Sequence, residues 1–361
     1  MRLTMNAEFF SEDYLPEVVV DREREKLVIT DYLSGVLRGT SFGILYVYGP
    51  SGSGKTTVAR FVLRQLEDEH PKVLVVYLDC GGLTRYQVLS EVCSRLCGRD
   101  ERKSTCQERI RRIVGRISSK KVKMVVALDN FDKIRDVESL LWDFHRISQS
   151  AIETPGLILI STDEYDLLRI IGKRLYSRLR PTTLNFRRYD AETLKQILRQ
   201  RIIEAYGRPI ASEEALTLIA EFVEENGGNA RLLFDIFLKA VENAQNEGKS
   251  TISDESIKRA IENKKEEMII KTLYEIEKEN QKMLKALETI AELEKQSSTV
   301  YTGLLERAIR EKGITISRRS LEYYLKDLKE KGLITLKKTK IGRGYSWKIK
   351  LAIPQKLLNT K

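Results

Sequence analysis

Residues 44–57 read Ile44-Leu45-Tyr46-Val47-Tyr48-Gly49-Pro50-Ser51-Gly52-Ser53-Gly54-Lys55-Thr56-Thr57. From Gly49 to Thr56 they satisfy G-x-x-x-x-G-K-[ST]. An apolar run precedes the pattern and a helical pattern (Val58, Phe61, Val62, Leu66) follows it, which is the context that gives it meaning. Gly49, Gly52 and Gly54 let the backbone turn tightly and bring its N–H groups against phosphate oxygens. A helix starting near Lys55 adds the positive end of its dipole. Lys55 has the reach for β- and γ-phosphates, and the Thr56 hydroxyl suits Mg²⁺. The stretch from Gly49 to Thr57 is therefore a candidate site for ATP or ADP. A glycine-rich turn without a ligand is the plainer alternative, and the complete, correctly flanked motif weighs against it.

Outward from this motif, four more apolar runs alternate with helical patterns: Val73–Cys80, Met124–Asp129, Leu157–Thr162 and Thr182–Phe186. Together with Ile44–Gly49 they predict a parallel sheet covered on both faces, an α/β nucleotide-binding domain over 1–188. After Tyr189 the strand patterns stop. Helical periodicity over Ala191–Tyr206, Ser212–Glu225, Asn229–Glu247 and Ser253–Met268 predicts an all-helical second domain over 189–272. A charged helical stretch, Lys264 to Lys282, is expected to lead into a third domain over 273–361.

That third domain has its own pattern. Met283–Leu293 and Tyr301–Lys312 read as amphipathic helices. Ser317 is placed as the N-cap of another that ends at Gly332. Leu321, Tyr324, Leu325 and Leu328 form its buried face. Arg318 precedes the outward face of Arg319, Tyr323, Lys326 and Glu330. Two short strands follow, Leu333–Lys337 and Tyr345–Leu351, joined by a basic loop carrying Lys337, Lys338, Lys340 and Arg343. Three helices and a basic hairpin predict a winged helix-turn-helix whose third helix enters the major groove of double-stranded DNA. The wing would follow phosphates, with Arg343 at the minor groove. A winged helix used for protein contacts is the alternative; arginine and lysine on both DNA-facing elements argue against it.

Charge agrees with that placement. The 361-residue chain carries a formal +11, and residues 281–361 hold 19 Lys+Arg against 8 Asp+Glu. The remaining 280 residues balance at 44 of each. A basic excess at one end points to a polyanion such as nucleic acid. The bland alternative is a solvated surface in a Lys/Glu-rich protein. Four cysteines (Cys80, Cys93, Cys97, Cys106) lie in one segment without a C-x-x-C, and only His70 and His145 exist. Reduced structural thiols are expected, and neither zinc nor histidine acid–base chemistry. No apolar run suffices to span a bilayer and no signal-peptide pattern opens the chain, so a cytoplasmic location is expected.

In this order, P-loop domain, helical lid and winged helix resemble the archaeal origin recognition complex / cell division control protein six family of AAA+ replication initiators. The resemblance covers nearly the whole chain. Tyr14-Leu15-Pro16 and Asp21-Arg22-Glu23 resemble the family's segment around the adenine, which implies nucleotide contacts for Tyr14, Pro16 and Arg22. Tyr77-Leu78-Asp79-Cys80 resembles its second strand. Leu179 to Arg201, with Asn185-Phe186 and Tyr189, resembles its passage into the lid. Gly228-Asn229-Ala230-Arg231 resembles the sensor 2 segment, which implies that Arg231 reaches the γ-phosphate. Ser177-Arg178-Leu179 falls where related ATPases carry an arginine finger for a neighbouring subunit, and that role passes to Arg178. Leu141-Trp142-Asp143-Phe144-His145-Arg146 falls where the family has a helical insertion that touches DNA; a surface helix with its apolar residues packed inward fits equally.

Two positions depart from the family pattern. Asp129, at the end of the third strand, can hold Mg²⁺, but the next residue is Asn130 where the family has the glutamate that activates water. An amide can orient a water and cannot take its proton. Asp132 stands as a substitute two residues on. Thr162, in Ser161-Thr162-Asp163, occupies the place of a polar sensor asparagine and has shorter reach. Both changes weaken hydrolysis more than binding.

The resemblance implies a nucleotide-held switch that recognises replication origins and helps to recruit the replicative helicase, beside paralogous initiator subunits. A transcription regulator of the same fold is the second reading. A clamp- or helicase-loading motor is the third, and Asn130 counts against it.

Overall fold

The computed structural model describes residues 6–39, 43–98, 104–162, 167–296, 299–341 and 344–358. They form two compact units, Met1–Ile257 and Lys258–Lys361. In the first, α1 (Glu23–Arg38) precedes an alternation of strands and helices: β1 (Ile44–Tyr48), α2 (Lys55–Glu69), β2 (Leu74–Asp79), α3 (Arg85–Cys97), α4 (Cys106–Lys120), β3 (Met124–Asp129), α5 (Val137–Ser150), β4 (Gly156–Ile160), α6 (Leu167–Leu179) and β5 (Thr182–Asn185). The five strands are parallel, in the order β2-β3-β4-β1-β5. Side chains alternate between two apolar layers as the pleat requires. Ile44 and Tyr46 join Met124, Val126 and Leu128 in a layer with α3–α6. Leu45 and Val47 join Val125 and Ala127 in a layer with α1 and α2. Both faces are thus buried, and all five strands lie where the apolar runs predict them, to within one or two residues at each end.

Local chemistry starts the helices. Thr84 and Gln87 cap α3 reciprocally, and Thr105 and Glu108 do the same for α4. Arg85 grips Asp143 of α5 with Nε and Nη2, at 2.6 and 3.0 Å, and the Asp143 side chain is only 1% exposed. Cys80 and Cys93 are buried and no disulfide forms among the described residues. Burial, with the Asp79 and Asp129 charges nearby, pushes the Cys80 thiol up to about 12.

The lid follows as α7 (Ala191–Tyr206), α8 (Glu213–Glu225) and α9 (Ala230–Asn246), capped by Asp190, Ser212 and Asn229. Leu198, Ile219, Val223, Leu233 and Phe237 bury their side chains among these helices. A short 3-10 turn, Ala7–Phe10, packs on them: Phe10 lies 5.7 Å from the Phe234 ring and 5.1 Å from Phe237.

Next comes α10, one unbroken helix from Asp254 to Glu279. Sequence patterning divides this stretch into a lid helix and a charged connection, and the expected boundary at 272/273 falls inside it. No Gly or Pro interrupts residues 254–279, so nothing in the backbone stops the helix.

The second unit contains α11 (Gln281–Gln296), β6 (Val300–Tyr301), α12 (Thr302–Glu311), α13 (Arg318–Glu330), β7 (Ile334–Ile341) and β8 (Gly344–Leu351). Ser317 caps α13, its hydroxyl accepting from Ser320 N at 3.1 Å. Leu321, Leu325 and Leu328 face the apolar core with Leu287, Ile290, Leu305 and Ile349. The sheet order is β6-β8-β7. Here the structure corrects one expectation. Lys337, Lys338 and Lys340 do not lie in a loop but in β7, paired with Lys348, Trp347 and Tyr345. Thr339 and the aromatic residues opposite favour extended pairing, so the ladder runs on past Lys337. Arg343 lies outside the described residues.

Candidate functional site

The P-loop, the ends of β3 and β4, and the lid meet in a cleft of about 330 Å³. It lies at the carboxyl ends of the strands, where open α/β sheets bind ligands. Gly52 and Gly54 both have positive φ, at 71° and 89°. A Cβ on Gly52 would collide with the Asn229 amide, and one on Gly54 with the Tyr189 hydroxyl. The loop is therefore shaped against the lid as well as for a ligand. Ala230 N donates to Gly52 O at 3.1 Å, fixing the start of α9 on the P-loop.

Lys55 opens α2 and is buried, with Nζ donating to Gly49 O and Pro50 O at 2.7 Å each. Thr56 Oγ1 donates to Asp129 Oδ2 at 2.6 Å. Tyr77 OH donates to the same oxygen, and burial together with that carboxylate pushes its phenol up. A hydroxyl and a carboxylate side by side at the cleft are hard oxygen donors of the kind Mg²⁺ takes, so Thr56 and Asp129 fit that ion. Among the described residues no group of three or more His, Cys, Asp or Glu is placed to hold a metal by itself.

Asn130 lines the cleft with φ 53°, a left-handed conformation that asparagine tolerates better than glutamate. Its Nδ2 donates to Asp79 Oδ1 at 2.9 Å, and its Oδ1 accepts from Lys133 Nζ at 3.3 Å. Asp132 is half-buried; burial raises its pKa, and Oδ1 has no hydrogen-bond partner among the described residues. Thr162 lines the cleft beside Ser161, whose hydroxyl meets Tyr46 OH at 3.0 Å.

From the lid, Arg231 Nη1 donates to Ser51 Oγ at 2.8 Å, so this arginine does reach the P-loop. Its Nε meets Glu12 Oε1 at 2.7 Å. Tyr14 lies in the cleft under the Arg201 guanidinium, 4.5 Å from its ring. Pro16 lines a small apolar recess with Tyr189 and Ile197, which shares Gly54, Thr57 and Phe234 with the main cleft. A flat aromatic base suits such a recess. Arg22 is placed differently from Tyr14 and Pro16. It is buried, donates to Ser53 O at 3.1 Å and Arg187 O at 2.8 Å, and stacks 4.1 Å from the Tyr189 ring. It braces the P-loop and the lid entry from beneath and does not line the cleft. Ser53 is buried with it.

Arg178 lies apart from this cleft, exposed at the end of α6, 6.0 Å from the Trp142 ring. It lines a second cavity of about 460 Å³ with His145, Ser148 and Arg180. Burial and the nearby Arg178 charge lower the His145 pKa. The segment Leu141–Arg146 lies within α5; Leu141, Asp143 and Phe144 are buried and Arg146 is exposed, an arrangement that fits either reading of this helix.

In the second unit Arg318, Arg319, Tyr323 and Lys326 are all exposed on α13, with Tyr323 at 65%. Lys338 and Lys340 share one face of β7 and Lys337 points to the other. Lys338 Nζ lies 4.9 Å from the ring of Tyr345, itself 68% exposed. Glu12, Arg201, Phe234 and Tyr345 carry no motif that marks them in the sequence. Only tertiary contact brings the first three to the cleft, and Tyr345 reads as an ordinary strand residue.

An AAA-domain family model matches residues 39–170, and a model for the Cdc6 AAA+ ATPase-type lid domain matches residues 195–262. An ORC1-type DNA replication protein of Methanothermobacter thermautotrophicus is 25% identical over 349 residues, covering 95% of this chain and 91% of the relative. The structure of the Aeropyrum pernix ORC1 protein in complex with DNA matches with a TM-score of 0.61 at 25% identity, over 97% of this chain and 94% of that one. The Aeropyrum pernix ORC2 protein, in ADPNP–ADP complexes, shares the fold at a TM-score of 0.60 and 21% identity, over 98% and 95% of the two chains. No helix among the described residues is long and apolar enough to cross a membrane.

Proposed function

Because the chain belongs to the archaeal ORC/Cdc6 initiator family of AAA+ proteins, we propose that it is an ATP-binding, origin-recognising protein that grips double-stranded DNA and acts as a nucleotide-controlled switch in the initiation of replication. The observation that carries this reading is the cleft in which the P-loop, Asp129 and the lid's Arg231 converge. ATP or ADP would lie with its phosphates on Gly49–Thr57 and its base toward Pro16 and Tyr14. Mg²⁺ would be held by Thr56 and Asp129, and when bound it neutralises phosphate charge. Arg231 would sense the terminal phosphate. Asn130 and Thr162 orient a water without accepting its proton, so hydrolysis is slow.

We divide the work as base (1–188), lid (189–272) and winged helix (273–361). In the last, α13 would read base edges and the β7–β8 hairpin would follow phosphates. Arg178 is exposed and away from its own chain's cleft, which suits a contact with a paralogous subunit's nucleotide. The replicative helicase is the expected downstream partner, and the cytoplasm the expected location. Sequencing of DNA immunoprecipitated with the protein tests the reading: enrichment at replication origins is expected. Dispersed promoters would instead favour a nucleotide-responsive transcription regulator, the second reading to which Asn130 gives weight.

A further inference from the structure

Arg231 is shared between two partners. Its Nη1 edge reaches Ser51 in the P-loop at 2.8 Å, while its Nε edge is paired with the Glu12 carboxylate at 2.7 Å. Glu12, Ser51 and Arg231 all line the nucleotide cleft. Glu12 does not arrive there by chance of a loose chain end. Two residues before it, Phe10 is packed between the rings of Phe234 and Phe237, one and two helical turns beyond Arg231 on α9. Asn6 Nδ2 adds a hydrogen bond to Ala205 O on α7, at 2.5 Å. The carboxylate and the guanidinium are therefore carried on the same helical body, and a movement of the lid does not separate them. An anion that displaces Glu12 from Arg231 does.

We propose that Glu12 is a specificity-determining residue of this cleft: it competes with the terminal phosphate of a nucleoside triphosphate for Arg231, and so holds down the preference for triphosphate over diphosphate. The inference rests on the nucleotide reading above. A guanidinium already paired with a carboxylate offers less to a γ-phosphate, which must displace that carboxylate before it can take the same donors. A diphosphate ends one phosphate short and loses little from this competition. Specificity is a difference between two affinities, and a competitor built into the protein lowers one of them selectively.

Calorimetry on the full chain tests this, with the β,γ-imido analogue of ATP and with ADP, each with Mg²⁺ at low ionic strength, where exposed charges are screened least. Glu12 is exposed, so Glu12→Gln leaves folding intact. It is expected to tighten the triphosphate analogue about three- to fivefold, the scale of one exposed ion pair, and to leave ADP within about twofold. In an Arg231→Ala background the same substitution should change neither affinity. Equal tightening of both nucleotides would overturn the proposal in favour of a diffuse field. Weaker triphosphate binding would overturn it too, by showing that Glu12 orients Arg231 for the phosphate. A gain that survives without Arg231 would have the same effect. A wild-type chain that binds neither nucleotide would instead remove the nucleotide reading itself, and the inference with it.

Discussion

The side-chain amide of Asn130 donates to the carboxylate of Asp79 across the ends of two neighbouring strands, at 2.9 Å. The register of β2 and β3 pairs Asp79 with Asp129, and the left-handed turn at Asn130 lies directly after it. A glutamate at position 130 would face Asp79 as a like charge, and one of two such carboxylates resists ionisation. Asn130→Glu alone should therefore recover only part of a general base's worth. Asn130→Glu combined with Asp79→Asn reverses the direction of the hydrogen bond and should recover more. The expected order of single-turnover rates with saturating ATP is wild type, Asn130→Glu, double variant. The double variant should be about 10²-fold or more above wild type, at the lower end of general-base contributions. A wild type as fast as the double variant would place proton acceptance elsewhere, with Asp132 the next residue to replace.

Lys55 is the cation at the base of the P-loop, and its ammonium is held by the carbonyls of Gly49 and Pro50. Phosphate oxygens would replace or share those partners. Lys55→Ala should lose most of the affinity for ATP and ADP, with calorimetry as the measurement. Unchanged affinities would take the loop out of the binding site.

The pair Arg85–Asp143 ties the start of α3 to α5 inside the base. Removing Arg85 leaves the buried Asp143 carboxylate with only Arg146 Nη1, 3.6 Å away, as a counter-charge. The cost is about 3–5 kcal/mol where burial is complete and no other partner remains. Arg85 is 28% exposed, so the lower end applies. Arg85→Ala is expected to lower the denaturant midpoint of the base by an amount corresponding to about 3 kcal/mol. A midpoint within experimental scatter of wild type would show that water replaces the arginine.

The two basic elements of the second unit should fail differently. Arg319 on the outward face of α13 is placed for base edges; Arg319→Ala should cut discrimination between origin and scrambled DNA by about 1–3 kcal/mol if it reads a guanine. Lys338 and Lys340 share a strand face, so replacing both should weaken all DNA alike. The salt dependence should also fall by roughly one log–log unit for each phosphate that is no longer neutralised. Lys337, on the opposite face, should matter less. Fluorescence anisotropy over a salt series separates these outcomes. A double lysine variant with wild-type affinity and slope would deny the hairpin a role in DNA binding.

Much of this architecture is written in short-range pattern. The central strands β1, β3 and β4, buried on both faces, leave near-continuous apolar runs, and the P-loop's glycines mark their own turn, so the α/β base is legible directly. The edge strand β5 is exposed at all positions but Leu184 and carries a weaker pattern. The lid helices carry caps at Asp190, Ser212 and Asn229 and a clear apolar period. What stays hidden is long-range or negative. Nothing local says that Glu12 meets Arg231 far along the chain, or that Asn130 leans on Asp79. Arg22 receives a nucleotide contact from the family resemblance alone, and its cation–π stacking on Tyr189 and its carbonyl partners become visible only in the structure. The lysines of β7 read as loop because clustered charge and a nearby glycine mimic a turn, whereas ladder pairing with aromatic partners extends the strand.

Cys80 follows Asp79 directly at the carboxyl edge of the sheet, fully buried, with its thiol shifted to about 12. A thiol in that state is almost inert to alkylating reagents, since only the thiolate attacks. Its labelling rate at neutral pH is then set by how often this edge of the base opens to solvent. The chain thus contains its own clock for local opening at the edge of the sheet beside Asp79, one that an alkylating reagent reads without an engineered label and that a bound ligand would slow in proportion to the stability it confers.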